Sequence, residues 1–378
     1  MPILGELRDV LLRNSLEIQH GEVVVVAAMR NEAELLQAFL KHYRRLGAQR
    51  FILIDNGSQD ASLAIAEQES DVLIIHTRES YRASRAGLEW TTAICRSFLV
   101  GHWVLTLDID EFLMLPPKYR GLQDLLRFMD AEGATAFFCI LLDVYPEHYN
   151  GSCRSDAEAD FDGLINSGKW MFDSDSYFLR RAKHWPPIAV VGGPRKRVFF
   201  PDRKPSSAGG PSARKVPLVK WGPRTRYLFS THALAPERLH VETGVLIHYK
   251  LRGGFSDRSR AELLRGDRTR DDHYRRYTAR GADFLYSGSV PLRDAGDLVG
   301  RGFMIQCGSG LGRVPQRGLD ELPLPLGQFP SIWKAAVSDK PKGSQTRSVH
   351  SVERAMRLRS KIARIVRGWK KRLPGQSF

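Results

Sequence analysis

The first 145 residues alternate between two hydrophobic periods, and that alternation limits the folds open to the chain more than any other feature. VVVVAAM at 23–29 is an unbroken apolar, largely β-branched run, as in a strand covered on both faces. NEAELLQAFLKHYRRL at 31–46 places apolar residues at 35, 36, 39, 40, 43 and 46, a helical spacing, and Gly47 closes it. RFILID (50–55), DVLIIH (71–76) and HWVLTLDID (102–110) read as three more strands, with helices expected over 59–68 and 83–100. Strand and helix in turn predict an α/β domain built on a Rossmann-like, mainly parallel sheet flanked by helices. Sheets of this kind bind ligands beyond the carboxyl ends of their strands.

After Pro146 the pattern loosens. Residues 146–240 are rich in Gly, Pro and Arg, and KPSSAGGPSARKVP (204–217) reads as a loop. A strand is expected within TGVLIHYKL (243–251), then charged helices near 257–265 and 269–281. The domain is expected to span 21–305, with a nucleotide-binding half at 21–145 and a second half at 146–305. Residues 1–20 are expected to form an N-terminal helix and 306–345 a linker. The opening MPILGELRDVLLRN carries charges inside its apolar run and is not read as a signal peptide. No run reaches the roughly 18 uncharged apolar residues of a membrane span. A 42% hydrophobic content excludes global disorder. Cys95, Cys139, Cys153 and Cys307 show neither metal nor disulfide spacing, which points to a reduced, cytoplasmic setting.

The net charge of +15 is concentrated. Residues 190–226 hold ten Lys/Arg against one acid, and 346–378 hold ten against Glu353, so the remaining 308 residues sum to −3. Two basic segments on a near-neutral body predict anionic partners at defined places. Within the expected helix 346–373, residues 352–372 at 100° per residue gather Val352, Ala355, Met356, Leu358, Ile362, Ala363, Ile365, Val366 and Trp369 opposite most of the basic residues, with Arg359 and Lys370 breaking the apolar face. Such a C-terminal basic, amphipathic helix suits an anionic membrane surface, and peripheral attachment at the cytoplasmic membrane face is expected from it.

The strand ends carry the chemistry. They read Arg30-Asn31-Glu32, Asp55-Asn56-Gly57-Ser58-Gln59-Asp60, and Asp108-Ile109-Asp110-Glu111, with Arg78, Arg82 and Arg85 after the third strand. Residues two apart on a strand share a face, so Asp108 and Asp110 are expected to point together. Adjacent carboxylates need a positive partner, and a divalent ion that also binds a diphosphate is a good one. Asp55-Asn56-Gly57 is also strong turn chemistry in its own right.

Taken together, Met29-Arg30-Asn31-Glu32, Ile54–Asp60 and Leu107-Asp108-Ile109-Asp110-Glu111-Phe112 resemble family 2 glycosyltransferases, in the branch with R-N-E, D-N-x-S-x-D and D-x-D-E-F motifs. The likeness continues loosely through Gly192–Arg195, Lys215–Leu218, Ser230–His232 and Leu246–Lys250. It implies a GT-A fold and transfer of a sugar from a nucleotide diphosphate sugar, UDP-sugar being the first choice. The acceptor expected is a glycan or a lipid-linked molecule, and inversion the expected outcome. By the resemblance Asp55 meets the nucleobase, and Arg30, Glu32, Arg85, Asp108 and Lys250 line the nucleotide. Asp108, Asp110 and His248 hold Mn²⁺ or Mg²⁺, with His232 the competing histidine. For the base that deprotonates the acceptor, Asp143 is the first choice and Glu111 the second, ahead of Asp173 and Asp175. Two other readings are a basic nucleic-acid-binding protein and a nucleotidyltransferase. The first has no recognisable nucleic-acid module, so no nucleic acid is expected as a partner. The second lacks a Gly-rich basic loop after the first strand.

Overall fold

The computed structural model describes residues 18–148, 169–182, 184–267, 271–279, 283–307 and 324–338. The expectations for residues 1–17 and for the basic helix at 346–373 lie outside them. Eight strands form the main sheet: β1 (Val23–Met29), β2 (Arg50–Asp55), β3 (Val72–His76), β4 (Trp103–Asp108), β5 (Glu111–Met114), β6 (Ala136–Asp143), β7 (Arg214–Lys220) and β8 (Gly244–His248). Their order across the sheet is β3-β2-β1-β4-β7-β6-β8-β5. The pairs β3–β2, β2–β1, β1–β4 and β6–β8 are parallel, and the other three are antiparallel. This is the mixed, mainly parallel sheet with flanking helices expected of a GT-A fold.

Each of the first strands is covered because the intervening helices are one-sided. Helix Ala33–Leu46 buries Leu35, Leu36, Phe39, Leu40 and Tyr43, while Lys41 and Arg45 point away from that core. Gly47, at φ 101°, takes the left-handed conformation that ends the helix and donates its N–H to Arg44 O. The Tyr43 hydroxyl spans the layer, donating to Glu111 O and accepting from Leu113 N. Parallel register aligns Met29 with Asp55, Asp55 with His76, and Ala28 with Asp108. Three of the motif-bearing loops therefore leave the sheet along one rim.

Two expectations are corrected. Residues 214–217, expected in a loop, belong to β7, which sits in the middle of the sheet between β4 and β6. Two cations and a proline argue against a central strand in sequence. In the structure the pairing shifts between Lys215 and Leu218, which accommodates Pro217, and Lys215 is buried against a carboxylate. Within the expected linker, residues 324–338 are structured: Leu324–Pro325 pairs with the strand Tyr177–Arg181, and helix Phe329–Ser338 follows. Phe329, Ile332 and Trp333 are buried in the core, Trp333 against Phe138 at 4.4 Å between ring centroids. Trp333 Nε1 donates to Val241 O at 2.9 Å. Gly, Pro and Ser around a few aromatics made this segment look like a linker, whereas the aromatics carry the burial.

Trp333→Ala is expected to destabilise the protein by about 3–5 kcal/mol in urea unfolding, as a large buried side chain does. A change within experimental error would mean that 324–338 is dispensable to the core. A second measurement concerns Glu242, which is buried and accepts from the Tyr119 hydroxyl at 2.6 Å and Cys307 N at 2.5 Å, with Lys118 Nζ at 2.7 Å. Burial would raise its carboxyl, but hydrogen bonds from His240, Lys118 and Tyr119 outweigh it and hold the group at about 2. A depressed carboxyl stabilises the fold above its unfolded value near 4.5 and loses that contribution as pH falls toward 2. Glu242→Gln should therefore flatten the loss of stability between about pH 5 and pH 3. Parallel acid profiles for the two proteins would contradict this.

Candidate active site

The rim is built from interlaced loops. Asn31, at φ 54°, accepts from Gln59 N at 2.7 Å and donates its own N–H to Ser58 Oγ at 3.1 Å. Asp60 accepts from Ala33 N at 3.1 Å and Ser62 Oγ accepts from Glu32 N at 2.8 Å, so the second motif caps the helix that the first one starts. Arg30 donates to Asn56 O at 2.8 Å. Asp55 is buried and folds its own turn, accepting from Gly57 N and Ser58 N at 3.1 Å each, with His76 Nδ1 3.6 Å away. The turn thus fixes where the carboxylate stands. On the far side Arg265 donates to Asn56 Oδ1 at 2.6 Å, and Asp267 accepts from Tyr81 N at 2.8 Å. Arg85, exposed and at φ 59°, donates to Leu228 O at 2.5 Å.

The D-x-D triplet does not lie along one extended strand. Asp108 ends β4, Ile109 and Asp110 form the turn, and Glu111 starts β5. The shared-face expectation is corrected accordingly: the Asp108 side chain is 58% exposed, whereas Asp110 is buried. Each carboxylate faces a different ammonium group, with Lys215 Nζ 3.6 Å from Asp108 Oδ2 and Lys250 Nζ 3.6 Å from Asp110 Oδ2. The strand expected within 243–251 ends at His248, and Lys250 stands on the 3₁₀ turn Tyr249–Leu251.

Beneath Asp110 runs a row of buried charge. Register on β8 sets His248 opposite Glu111 on β5 and opposite Asp143 on β6. His248 Nδ1 is 2.6 Å from Asp143 Oδ1, and Nε2 is 3.6 Å from Asp110 Oδ1. Arg195 Nε donates to Asp143 Oδ2 at 2.7 Å. Lys215 Nζ donates to Glu111 Oε2 at 2.5 Å, and that same oxygen accepts from Asp108 N at 3.0 Å. Burial would discharge these groups; at Asp110, Asp143, His248 and Lys215 the neighbours reverse it. Lys250 and His248 hold the Asp110 carboxyl well below the usual range, and Arg195 and His248 hold Asp143 low. Asp110 and Asp143 in turn raise His248 above an ordinary histidine, and Asp108 and Glu111 keep Lys215 protonated. Glu32 and Glu111 differ: burial pushes each up to about 7, against the pull of Arg252 on Glu32, whose NH2 lies 3.3 Å away, and of Lys215 on Glu111.

The structure therefore brings Asp108, Asp110, Glu111, Asp143, His248 and Lys250 together, with Glu32 joined through its electrostatic coupling to Asp110. Asp143 and Glu111, expected as bases, are both buried in ion pairs, Asp143 with Arg195 and Glu111 with Lys215. Asp173 is bound by Arg197 and Tyr145, and Asp175 by Tyr286. His232 bonds Arg214 O through Nδ1, and burial lowers it to about 4. Lys215, Arg195 and Arg252 were not foreseen as site residues. The signal in sequence was that Arg195 and Lys215 fall in the stretches through which the likeness continues, Gly192–Arg195 and Lys215–Leu218.

Among the described residues, no three His, Cys, Asp or Glu side chains are already grouped to hold a metal ion. The donors still fit one. A hydrogen bond from Nδ1 to Asp143 leaves Nε2 as the ligand atom of His248, the usual carboxylate–histidine arrangement around a metal. Asp108 and Asp110 supply hard oxygens, and Mg²⁺-type ions take much of their shell from substrate phosphates.

A large, mainly parallel sheet of this topology with flanking helices is consistent with the GT-A fold. Residues 24–182 match the family model described as glycosyl transferase family 2, and this segment is a glycosyltransferase domain. A glycosyltransferase family 92 protein from Ricinus communis is 25% identical over 115 residues, covering 30% of this chain and 20% of that protein. One from Oryza sativa subsp. japonica is 30% identical over 113 residues, covering 27% and 18%. The chain thus spans about a fifth of the length of the curated relatives it matches. Among solved structures, 4-diphosphocytidyl-2C-methyl-D-erythritol synthase aligns over 40% of this chain and 79% of its own, at 12% identity and a TM-score of 0.22.

Removing one member of a buried ion pair strands the other. Arg195→Met should cost about 3–5 kcal/mol in urea unfolding, and Arg195→Met/Asp143→Asn should recover at least part of it. A double variant no more stable than the single would show that the row is not organised around the Arg195–Asp143 pair.

Proposed function

We propose that the protein moves a glycosyl group from a nucleotide diphosphate sugar, a UDP-sugar in the first instance, to a hydroxyl on a glycan or lipid-linked acceptor, with inversion. The observation that carries this reading is the single rim on which the Asp55 turn, the Asp108–Glu111 hairpin and His248 meet. Asp55 is set to accept from the nucleobase, and Arg30, Glu32 and Arg85 line the nucleotide beside it. Lys250, whose ammonium lies 3.6 Å from Asp110 Oδ2, would meet a phosphate oxygen. Asp108, Asp110 and His248 Nε2 would hold Mn²⁺ or Mg²⁺, which offsets the charge that develops on the leaving diphosphate. Asp143 acts through His248: it fixes the imidazole's orientation and keeps the proton on Nδ1. Glu111 and Lys215 hold the hairpin that carries both aspartates. Attachment to an anionic membrane face through 346–373 belongs to the same reading, rests on sequence alone, and suits a lipid-linked acceptor.

The test is thermal unfolding with UDP, with and without Mn²⁺, together with hydrolysis of a panel of nucleotide sugars. UDP with Mn²⁺ should raise the melting temperature more than UDP alone. Asp110→Ala should keep the fold yet lower donor hydrolysis by about a hundredfold or more. Equal hydrolysis by both proteins would overturn the assignment of Asp110, and no response to any nucleotide diphosphate would overturn the reading itself.

A further inference from the structure

Away from the rim, three cations stand together without a carboxylate bound to any of them among the described residues. Lys196, on the helix Pro194–Phe199, is buried, and its Nζ donates to Ser207 O at 2.5 Å with Ser207 Oγ at 3.4 Å. Arg180, on the strand Tyr177–Arg181, donates to Ser206 O at 3.1 Å. Arg203 lies over the Phe200 ring at 5.2 Å. Asp202 feels the Arg203 charge, but its two oxygens are taken by Arg276 at 2.6 and 3.0 Å. Adjacent residues of one loop bring them together, since Arg180 and Lys196 meet the successive carbonyls of Ser206 and Ser207; burial, with Arg180 and Arg203 nearby, lowers Lys196 to about 8.

The loop that gathers them is shaped to do so. Gly209 and Gly210 adopt φ of 89° and 109°. A Cβ at Gly209 would collide with the Arg203 guanidinium, and one at Gly210 would rest on the Lys196 stem. Ser207 Oγ donates to Lys204 O, which closes the turn. The groups these cations meet are carbonyls, a hydroxyl and a ring face, so most of the guanidinium donors are not engaged by the described residues. Like charges held this close in a partly buried place repel unless an anion joins them. Two guanidinium forks and an ammonium suit a tetrahedral oxyanion with several acceptor oxygens. Arg195, the residue before Lys196, is the one bonded to Asp143 in the row beneath Asp110. The cluster is therefore one helix residue from the machinery of transfer.

We infer that Arg180, Lys196 and Arg203 form a binding site for a phosphoryl group, and that this group is carried by the acceptor. The second part rests on the glycosyl-transfer reading; the first does not.

The probe is inorganic phosphate, compared with chloride at equal ionic strength, in thermal unfolding of the full chain with and without saturating UDP. Phosphate should raise the melting temperature of the wild type, and the rise should persist on top of that from UDP. Arg180→Gln/Arg203→Gln should keep the UDP response and show about a tenfold weaker apparent Kd for phosphate. Lys196→Gln, at a buried position, serves as the second variant and should weaken phosphate in the same direction. Vesicles of phosphatidic acid in neutral lipid form a parallel arm. Binding of both probes through these residues marks a lipid-borne phosphate, and binding of inorganic phosphate alone marks a soluble phosphorylated acceptor. An equal phosphate response in wild type and variants overturns the site. So does a response that disappears under saturating UDP, since phosphate would then be occupying the donor's place. Loss of the UDP response with the phosphate response intact would count against glycosyl transfer and leave the anion site standing.

Discussion

Besides Asp55, which its own turn satisfies, three carboxylates lie buried at or just under the rim of the sheet, on Asp110, Glu111 and Asp143, and burying an unpaired carboxylate is too costly for a fold to bear. The structure meets this with cations from well outside the motif-bearing segment. Lys215 comes from the central strand β7, Arg195 from a helix that follows a small sheet, and His248 and Lys250 from the end of β8. The pairs depend on one another. His248 lies between Asp110 and Asp143, and Glu111 ties the Asp108 backbone to Lys215. The hairpin bearing the two aspartates is thereby held from beneath by groups that themselves need its charge. Such mutual dependence favours one arrangement over nearby alternatives.

The same constraint changes the meaning of the basic stretch at 190–226. Read as a charge run it looks like a solvated face. In the fold Arg195, Lys196, Arg214 and Lys215 are all buried. Arg195 and Lys215 neutralise carboxylates, and Arg214 donates to the carbonyls of Pro186 and Ile188. Part of the positive charge thus holds the domain together. Lys196 and Arg203, with no carboxylate bound among the described residues, join Arg180 of the neighbouring strand in the proposed anion site.

The loops of the rim were legible because their chemistry is local. Asp55-Asn56-Gly57 is a turn by composition, and Asp55 caps it with two backbone N–H groups. The R-N-E and D-N-G-S-Q-D segments bond to each other because parallel register brings them side by side. The roles of Asp143 and Glu111 were not legible in the same way. A carboxylate at a strand end looks available in sequence, and only its partner's position shows that it is already engaged. Arg195 lies 52 residues from Asp143, and Lys215 lies 104 from Glu111.

The amino-acid sequence by itself determined the strand–helix order of the first 145 residues, the rim loops and the pair of aspartates, since hydrophobic period and turn chemistry act over a few residues. Tertiary structure alone decided that β7 enters the middle of the sheet, that Phe329, Ile332 and Trp333 complete the core, and that Asp143 stands behind His248 rather than before a substrate. Those outcomes depend on which distant charge or ring arrives to balance a buried group, and no local pattern encodes that.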